Sequence, residues 1–117
     1  MIRRKGDYKL DIREEMRGGN GKVKIEHLWD EANELKGPTR LMGKITLEPG
    51  CGIGFHCHDD EEEIFYIIKG TAEADDNGET VVLNAGDSIL TGNGAGHSIK
   101  CISDEAVEMT AVIVSYK

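Results

Sequence analysis

The sequence predicts an all-β domain, a sandwich or barrel of antiparallel strands. Three observations carry this reading. Apolar residues recur at every second position along most of the chain after Lys22. Turn signals rich in Gly, Asn and Asp break these runs at short intervals. Almost no segment keeps a helical period, and Pro is scarce. With 117 residues the chain has the length of one domain.

The elements follow in order. Between Asp7 and Arg17 the residues Tyr8, Ile12 and Met16 recur every four positions, which fits either a helix face or a terminal arm. Gly18-Gly19-Asn20-Gly21 stops whatever precedes it. Residues 1–21 therefore read as an N-terminal arm, a candidate for packing on a partner subunit, and residues 22–117 as the β domain. Val23, Ile25 and His27 alternate with Lys22, Lys24 and Glu26 as a half-buried strand. Asp30 to Lys36 has room for one helical turn before Gly37-Pro38. Leu41 to Glu48 is a strand closed by Pro49-Gly50. Glu63 to Lys69 is apolar on both faces, with Phe65 and Ile67 on one and Ile64, Tyr66 and Ile68 on the other, so both faces need cover. Asp76-Asn77-Gly78 joins Thr71–Asp75 to Glu79–Asn84 as a hairpin, because Asn-Gly tolerates the positive φ angles of a type I′ turn. Ser88–Thr91, His97–Ile102 and Val107–Ser115 complete the set.

Composition narrows the function. The net charge is −8, and no basic run extends beyond Arg3-Arg4-Lys5, so a nucleic-acid backbone binder is not expected. No apolar run approaches a membrane span, and no apolar stretch follows the basic N-terminus as in a secretory leader. Three cysteines at irregular spacing, Cys51, Cys57 and Cys101, do not make a disulfide framework. The expected compartment is the cytoplasm.

The chemistry concentrates in two places. His56 and His58 stand two residues apart, so on a strand their imidazoles share a face and can converge on one cation, while Cys57 points away. Glu63 follows beyond a polar turn, and His97 starts a later strand after the glycine-rich segment Gly92–Gly96. His27 reads as a packed or solvated histidine, and Asp59-Asp60-Glu61-Glu62 as a solvated loop.

These residues carry a resemblance to the cupin family. Gly50, His56, His58, Glu63 and Gly70 match the spacing of its first motif, and Gly86, Gly94 and His97 match its second. Gly92 stands where that motif has Pro, and Cys101 where it has Asn. The resemblance implies a jelly-roll β-barrel and a metal held by His56, His58, Glu63 and His97. The family also allows the spacing of Glu62, but Glu63 fits better, seven residues before Gly70. Three imidazoles and a carboxylate suit one divalent transition metal, Mn, Fe, Ni, Co or Zn, and leave positions open on a six-coordinate ion. Phe65, Ile67, Ile45, Leu47, Ile89 and Ile99 are the candidates for an apolar wall around it.

The first functional expectation is a metal-dependent enzyme of the dioxygenase or decarboxylase type, with a small, oxygen-rich or anionic substrate and Glu63 as the catalytic carboxylate. A non-enzymatic, metal-dependent binder of a small anion is the alternative. A sugar isomerase or epimerase is the weaker third reading, because phosphate recognition wants cations inside the barrel. A strand apolar on both faces also predicts a homodimer.

Overall fold

The computed structural model describes residues 1–116. Ten strands form two antiparallel sheets: β1 (Lys9–Glu14), β2 (Lys22–His27), β3 (Thr39–Leu47), β4 (Gly52–Cys57), β5 (Glu61–Lys69), β6 (Thr71–Asp76), β7 (Glu79–Asn84), β8 (Ser88–Gly92), β9 (Gly96–Cys101) and β10 (Val107–Ser115). One sheet runs β1-β2-β3-β10-β5-β8 and the other β4-β9-β6-β7. This is the jelly-roll arrangement expected from the sequence. No helix among the described residues is long and apolar enough to cross a membrane.

The alternation read from the sequence decides what enters the space between the sheets. On β5, Glu63, Phe65 and Ile67 are buried, and Ile64, Tyr66 and Ile68 point outward. Ile45 and Leu47 of β3, Ile99 and Cys101 of β9, and Val107, Met109 and Ala111 of β10 meet them in one core. The chain covers only one apolar face of β5. Tyr66 and Ile68 keep about half of their surface exposed, 49% and 48%, and Leu90 of the neighbouring β8 keeps 61%. The β6–β7 hairpin turns at Asn77 and Gly78, whose φ angles of 50° and 100° are the two positive values a type I′ turn requires.

The segment before the glycine run is a strand, not a helix face. β1 pairs antiparallel with β2 from Lys9↔His27 to Glu14↔Lys22, which satisfies its backbone on one edge. The four-residue recurrence misleads because Ile12 stays exposed and only Met16, in the 3-10 turn Met16–Gly18 that follows, packs against the core. The strand is shorter than the segment that carries the pattern, and its pairing overrides the period. Asp30 opens one turn, with Glu34 N donating to Asp30 O at 2.9 Å, as the sequence suggests. Two strands were not read as separate elements: β1 and β4, the latter interrupted by glycines that dilute its pattern.

The N-terminal residues are tied to this turn. Arg3 donates to Glu34 Oε1 at 2.9 Å and to Leu28 O at 3.0 Å, and its guanidinium lies 4.6 Å from the Trp29 ring centroid. The hydrogen bond from Arg3, with that from the Asp30 amide, holds the Glu34 carboxyl down at about 2 from its usual 4.5. The folded-state value is depressed, so the anchor is fully present above pH 4.5 and is lost as pH falls toward 2. The protection factor for amide hydrogen exchange at Leu28, the observed rate corrected for the intrinsic rate at each pH, is expected to fall over that window in the native protein. In Glu34→Gln it is expected to be already low at pH 7 and to change little with pH.

Candidate metal centre

A β-bulge builds the site. Ile53 of β4 pairs with Ile99 of β9, yet His56 pairs with His97, so β4 carries one extra residue between the two pairs. Period two alone would put Ile53 and His56 on opposite faces. The bulge at Gly54-Phe55 returns His56 to the interior, leaving Phe55 half exposed. His58 follows the end of β4, and the turn before β9 fixes its backbone. His58 N donates to Ala95 O at 3.0 Å, and Gly94 N donates to His58 O at 2.9 Å.

Four side chains meet between the sheets: His56, His58, Glu63 of β5 and His97 of β9, each with a ligand atom within 4.8 Å of the others. His97 Nε2 lies 3.1 Å from His58 Nε2, 3.3 Å from His56 Nε2 and 3.1 Å from Glu63 Oε1. His58 Nε2 lies 3.0 Å from the same Glu63 oxygen. His58, Glu63 and His97 are buried, and His56 is half-buried. Glu62, the alternative spacing, is not in the cluster.

The outer nitrogens decide what the inner ones present. His56 Nδ1 is 2.8 Å from Gly54 O, a carbonyl that only accepts, so Nδ1 carries the proton and Nε2 turns a bare lone pair inward. His58 Nδ1 is 2.5 Å from the Glu61 carboxylate and is protonated for the same reason. His97 Nδ1 meets the Thr91 hydroxyl at 2.9 Å, and the His97 ring stacks on Phe65 with 4.9 Å between centroids. Lone pairs of at least two imidazoles and a carboxylate oxygen thus face one another. That arrangement repels itself unless a proton or a cation sits among them.

The spacing fits a cation. With metal–donor distances of about 2.1 Å, neighbouring donors on an octahedral ion lie about 3.0 Å apart, and on a tetrahedral ion about 3.4 Å. The observed 3.0–3.3 Å falls within that interval. Burial lowers the affinity of His56 for a proton, which keeps it neutral. The His58 imidazole is raised, first by its hydrogen bond to Glu63 and with help from Glu61, against burial. Burial pushes the Glu63 carboxyl up, but the bonds from His58 and His97 outweigh it and hold it below the ordinary range. A metal would take the place of the shared proton.

The sequence reading assigned Glu61 to a solvated loop. The structure instead places it on β5, on the same face as Glu63. Its carboxylate takes the His58 proton contact and a two-pronged bond from Arg40, at 2.8 Å from Nε and 3.0 Å from a terminal nitrogen. The signal was present: residues two apart on a strand share a face. Of the six apolar wall candidates, Ile45 lines the cavity above the cluster, Phe65 stacks on His97, and Ile67, Leu47, Ile89 and Ile99 belong to the core. His27 lines the cavity wall, outside the four-residue cluster.

The cavity holds about 150 Å³. His56, His58 and Glu63 form its floor, Ile25, Ile45, Ile53 and Ile113 its apolar wall, and Arg13, Arg17, Arg40 and Glu31 stand around it. A buried donor cluster under an apolar sleeve suits a small ligand with oxygen donors.

Comparisons with known proteins agree with this geometry. The family model of the cupin domain matches residues 43–113. A Thermotoga maritima protein named oxalate-binding protein is 38% identical over 99 residues, which span 85% of this chain and 81% of that protein. A Thermotoga maritima crystal structure described as a predicted oxalate decarboxylase superimposes with a TM-score of 0.89 at 35% identity, covering 98% of this chain and 99% of that one. The polyketide cyclase RemF from Streptomyces resistomycificus superimposes with a TM-score of 0.77 at 18% identity, covering 100% of this chain and 81% of its own, a likeness of fold alone.

Thr91 is 1% exposed and supplies the hydrogen-bond partner of His97 Nδ1. Thr91→Val keeps the shape and leaves that nitrogen unpaired in the interior. Urea unfolding of the metal-free protein is expected to show a loss of about 1–3 kcal/mol. A Thr91→Ser variant is expected to recover most of it.

Proposed function

The chain belongs to the cupin family, and from that membership we propose that it binds one divalent transition-metal ion and, on it, a small dicarboxylate of the oxalate type. The observation that carries this reading is the convergence of three imidazoles and one carboxylate on the floor of a cavity of only about 150 Å³ with arginines around it. Sites for drug-sized ligands run to roughly 300–1,000 Å³. A flavonol or a sugar phosphate is large for this space, and a two-carbon dianion is not. The name of the Thermotoga maritima relative supports the same ligand class.

The ion, when bound, supplies Lewis acidity and a template for ligand oxygens. The chain supplies the rest. His56 and His58 present neutral nitrogens because Gly54 O and Glu61 hold their outer protons. Glu63 contributes the negative charge that three imidazoles lack. The isoleucines exclude water and sharpen each charge interaction in the cavity.

A second reading is turnover of the same ligand, by decarboxylation or by oxidation with dioxygen. It has one observation in its favour: Glu63, the carboxylate of the cluster, also lines the cavity and so touches the space the ligand takes. In that reading Glu63 is the catalytic residue.

The test begins with protein stripped by chelator and reloaded with Mn, Fe, Co, Ni or Zn. One equivalent of metal is expected to bind and raise the Tm, and oxalate is expected to bind by calorimetry only after loading. His97→Ala is expected to abolish both. Wild-type protein that takes up no metal, or that binds oxalate equally well without it, overturns the proposal. Formate or hydrogen peroxide accumulating from oxalate would establish the second reading, and neither appearing would leave a binding protein.

A homodimer completes the proposal, with the arm of residues 1–21 adding β1 to the barrel of residues 22–117 in its own chain and presenting its outer edge to the partner subunit. Its support is the outward apolar face of Ile64, Tyr66, Ile68 and Leu90, which the chain does not cover. Light scattering is expected to give twice the 12.8 kDa chain mass. Tyr66→Glu combined with Leu90→Glu is expected to halve it.

A further inference from the structure

The two halves of the cavity come from different parts of the chain. Its floor lies inside residues 43–113, the span that matches the cupin domain. Arg13, Met16, Arg17, His27, Glu31 and Arg40 line it from residues that precede that span. The metal cradle is therefore the part shared with the family, and the surface facing the ligand's outer end is particular to the N-terminal segment.

The three arginines are not equivalent. Arg13 is paired with Asp11, with Nε at 3.1 Å and a terminal nitrogen at 3.0 Å from Oδ2. Arg40 is paired with Glu61 and also feels Glu31. Arg17 makes no ion pair or side-chain hydrogen bond among the described residues. Its charge is the one left for a ligand.

The backbone of Arg17, an exposed residue on the cavity rim, is also held in place at a cost. It lies in the left-handed region, at φ 55° and ψ 28°, and Glu15, two residues before, has φ 49°. Such conformations cost of order 1 kcal/mol or more in non-glycine residues and persist only where the surroundings enforce them. Here β4 enforces them. A Cβ at Gly54 would lie 1.9 Å from Arg17 O, and a Cβ at Gly19 would lie 2.3 Å from Gly52 O. Gly52 N donates to Asn20 O at 2.9 Å. The β1–β2 turn is thus seated backbone to backbone on the bulged strand that carries His56.

We propose that Arg17 selects the ligand: seated by the glycine contact on β4, its guanidinium holds the outer carboxylate of a small dicarboxylate whose other end lies on the four-donor cluster. The inference rests on the metal–dicarboxylate reading above and names the residue that tells a dianion from a monoanion.

Oxamate is the probe, since it replaces one carboxylate of oxalate by an amide of the same shape. Cobalt-loaded wild-type protein is expected to bind oxalate more tightly than oxamate by roughly ten- to a hundredfold, the worth of a charge-assisted hydrogen bond. Arg17→Gln is expected to bring that ratio close to one. Its Tm and its cobalt absorption spectrum, recorded without oxalate, are expected to stay as in the wild type. Arg17→Lys is expected to keep part of the preference. Gly19→Ala, which lifts the turn off β4 and leaves every charge in place, is expected to lose it. An unchanged ratio in Arg17→Gln overturns the inference, as does a ratio that collapses in Arg13→Gln and survives in Arg17→Gln. Wild-type protein that binds both anions alike overturns the inference alone. Failure to bind cobalt or oxalate at all overturns the underlying reading with it.

Discussion

The site depends on holding together groups that repel one another. Imidazole lone pairs and a carboxylate oxygen face each other across 3.0–3.3 Å in the interior. Without a cation, a shared proton bonding Glu63 to its histidine neighbours is what offsets that repulsion. Each is fixed from behind: His56 by its own strand's carbonyl, His58 by Glu61, His97 by Thr91 and the Phe65 ring. The two sheets supply the frame, and the bulge in β4 supplies the half-turn of the chain that brings His56 inside. The stability of the surrounding core is what keeps the cluster assembled, and a cation would replace the shared proton among its donors.

Much of this arrangement was legible in the residues. The alternation along β5 placed Glu63, Phe65 and Ile67 inside, and the Asn77-Gly78 pair placed a hairpin. The four donors were named by their spacing and by resemblance. What could not be read has a common cause, which is that sequence period does not record a break in period. The extra residue in β4 sits in a glycine-rich stretch and leaves no trace in the pattern. Glu61 looked like one more acid in a run of four, because its partners Arg40 and His58 become visible only once the strands are placed. β1 carried a four-residue recurrence that its pairing with β2 overrode.

Charge is divided with some economy. The chain as a whole carries −8, which by itself disfavours anions. Three arginines gather around the cavity beside Glu31 and Glu63, and two of the three are already offset by Asp11 and Glu61. The Arg40–Glu61 pair does double service, since the same carboxylate that restrains the arginine also fixes the proton on His58. The wall of the cavity and the orientation of a donor are therefore mechanically linked.

The register that joins His56 to His97 spans 41 residues of sequence, and the β3–β10 and β5–β10 pairings span comparable or longer stretches. Chains dominated by such distant pairings fold in milliseconds to seconds, because loop closure precedes any reward from contact. The donors converge only when both sheets are in place, so an ion would meet a chain that has already crossed its barrier. Its binding energy would then slow the escape from the native basin and leave the speed of arrival unchanged.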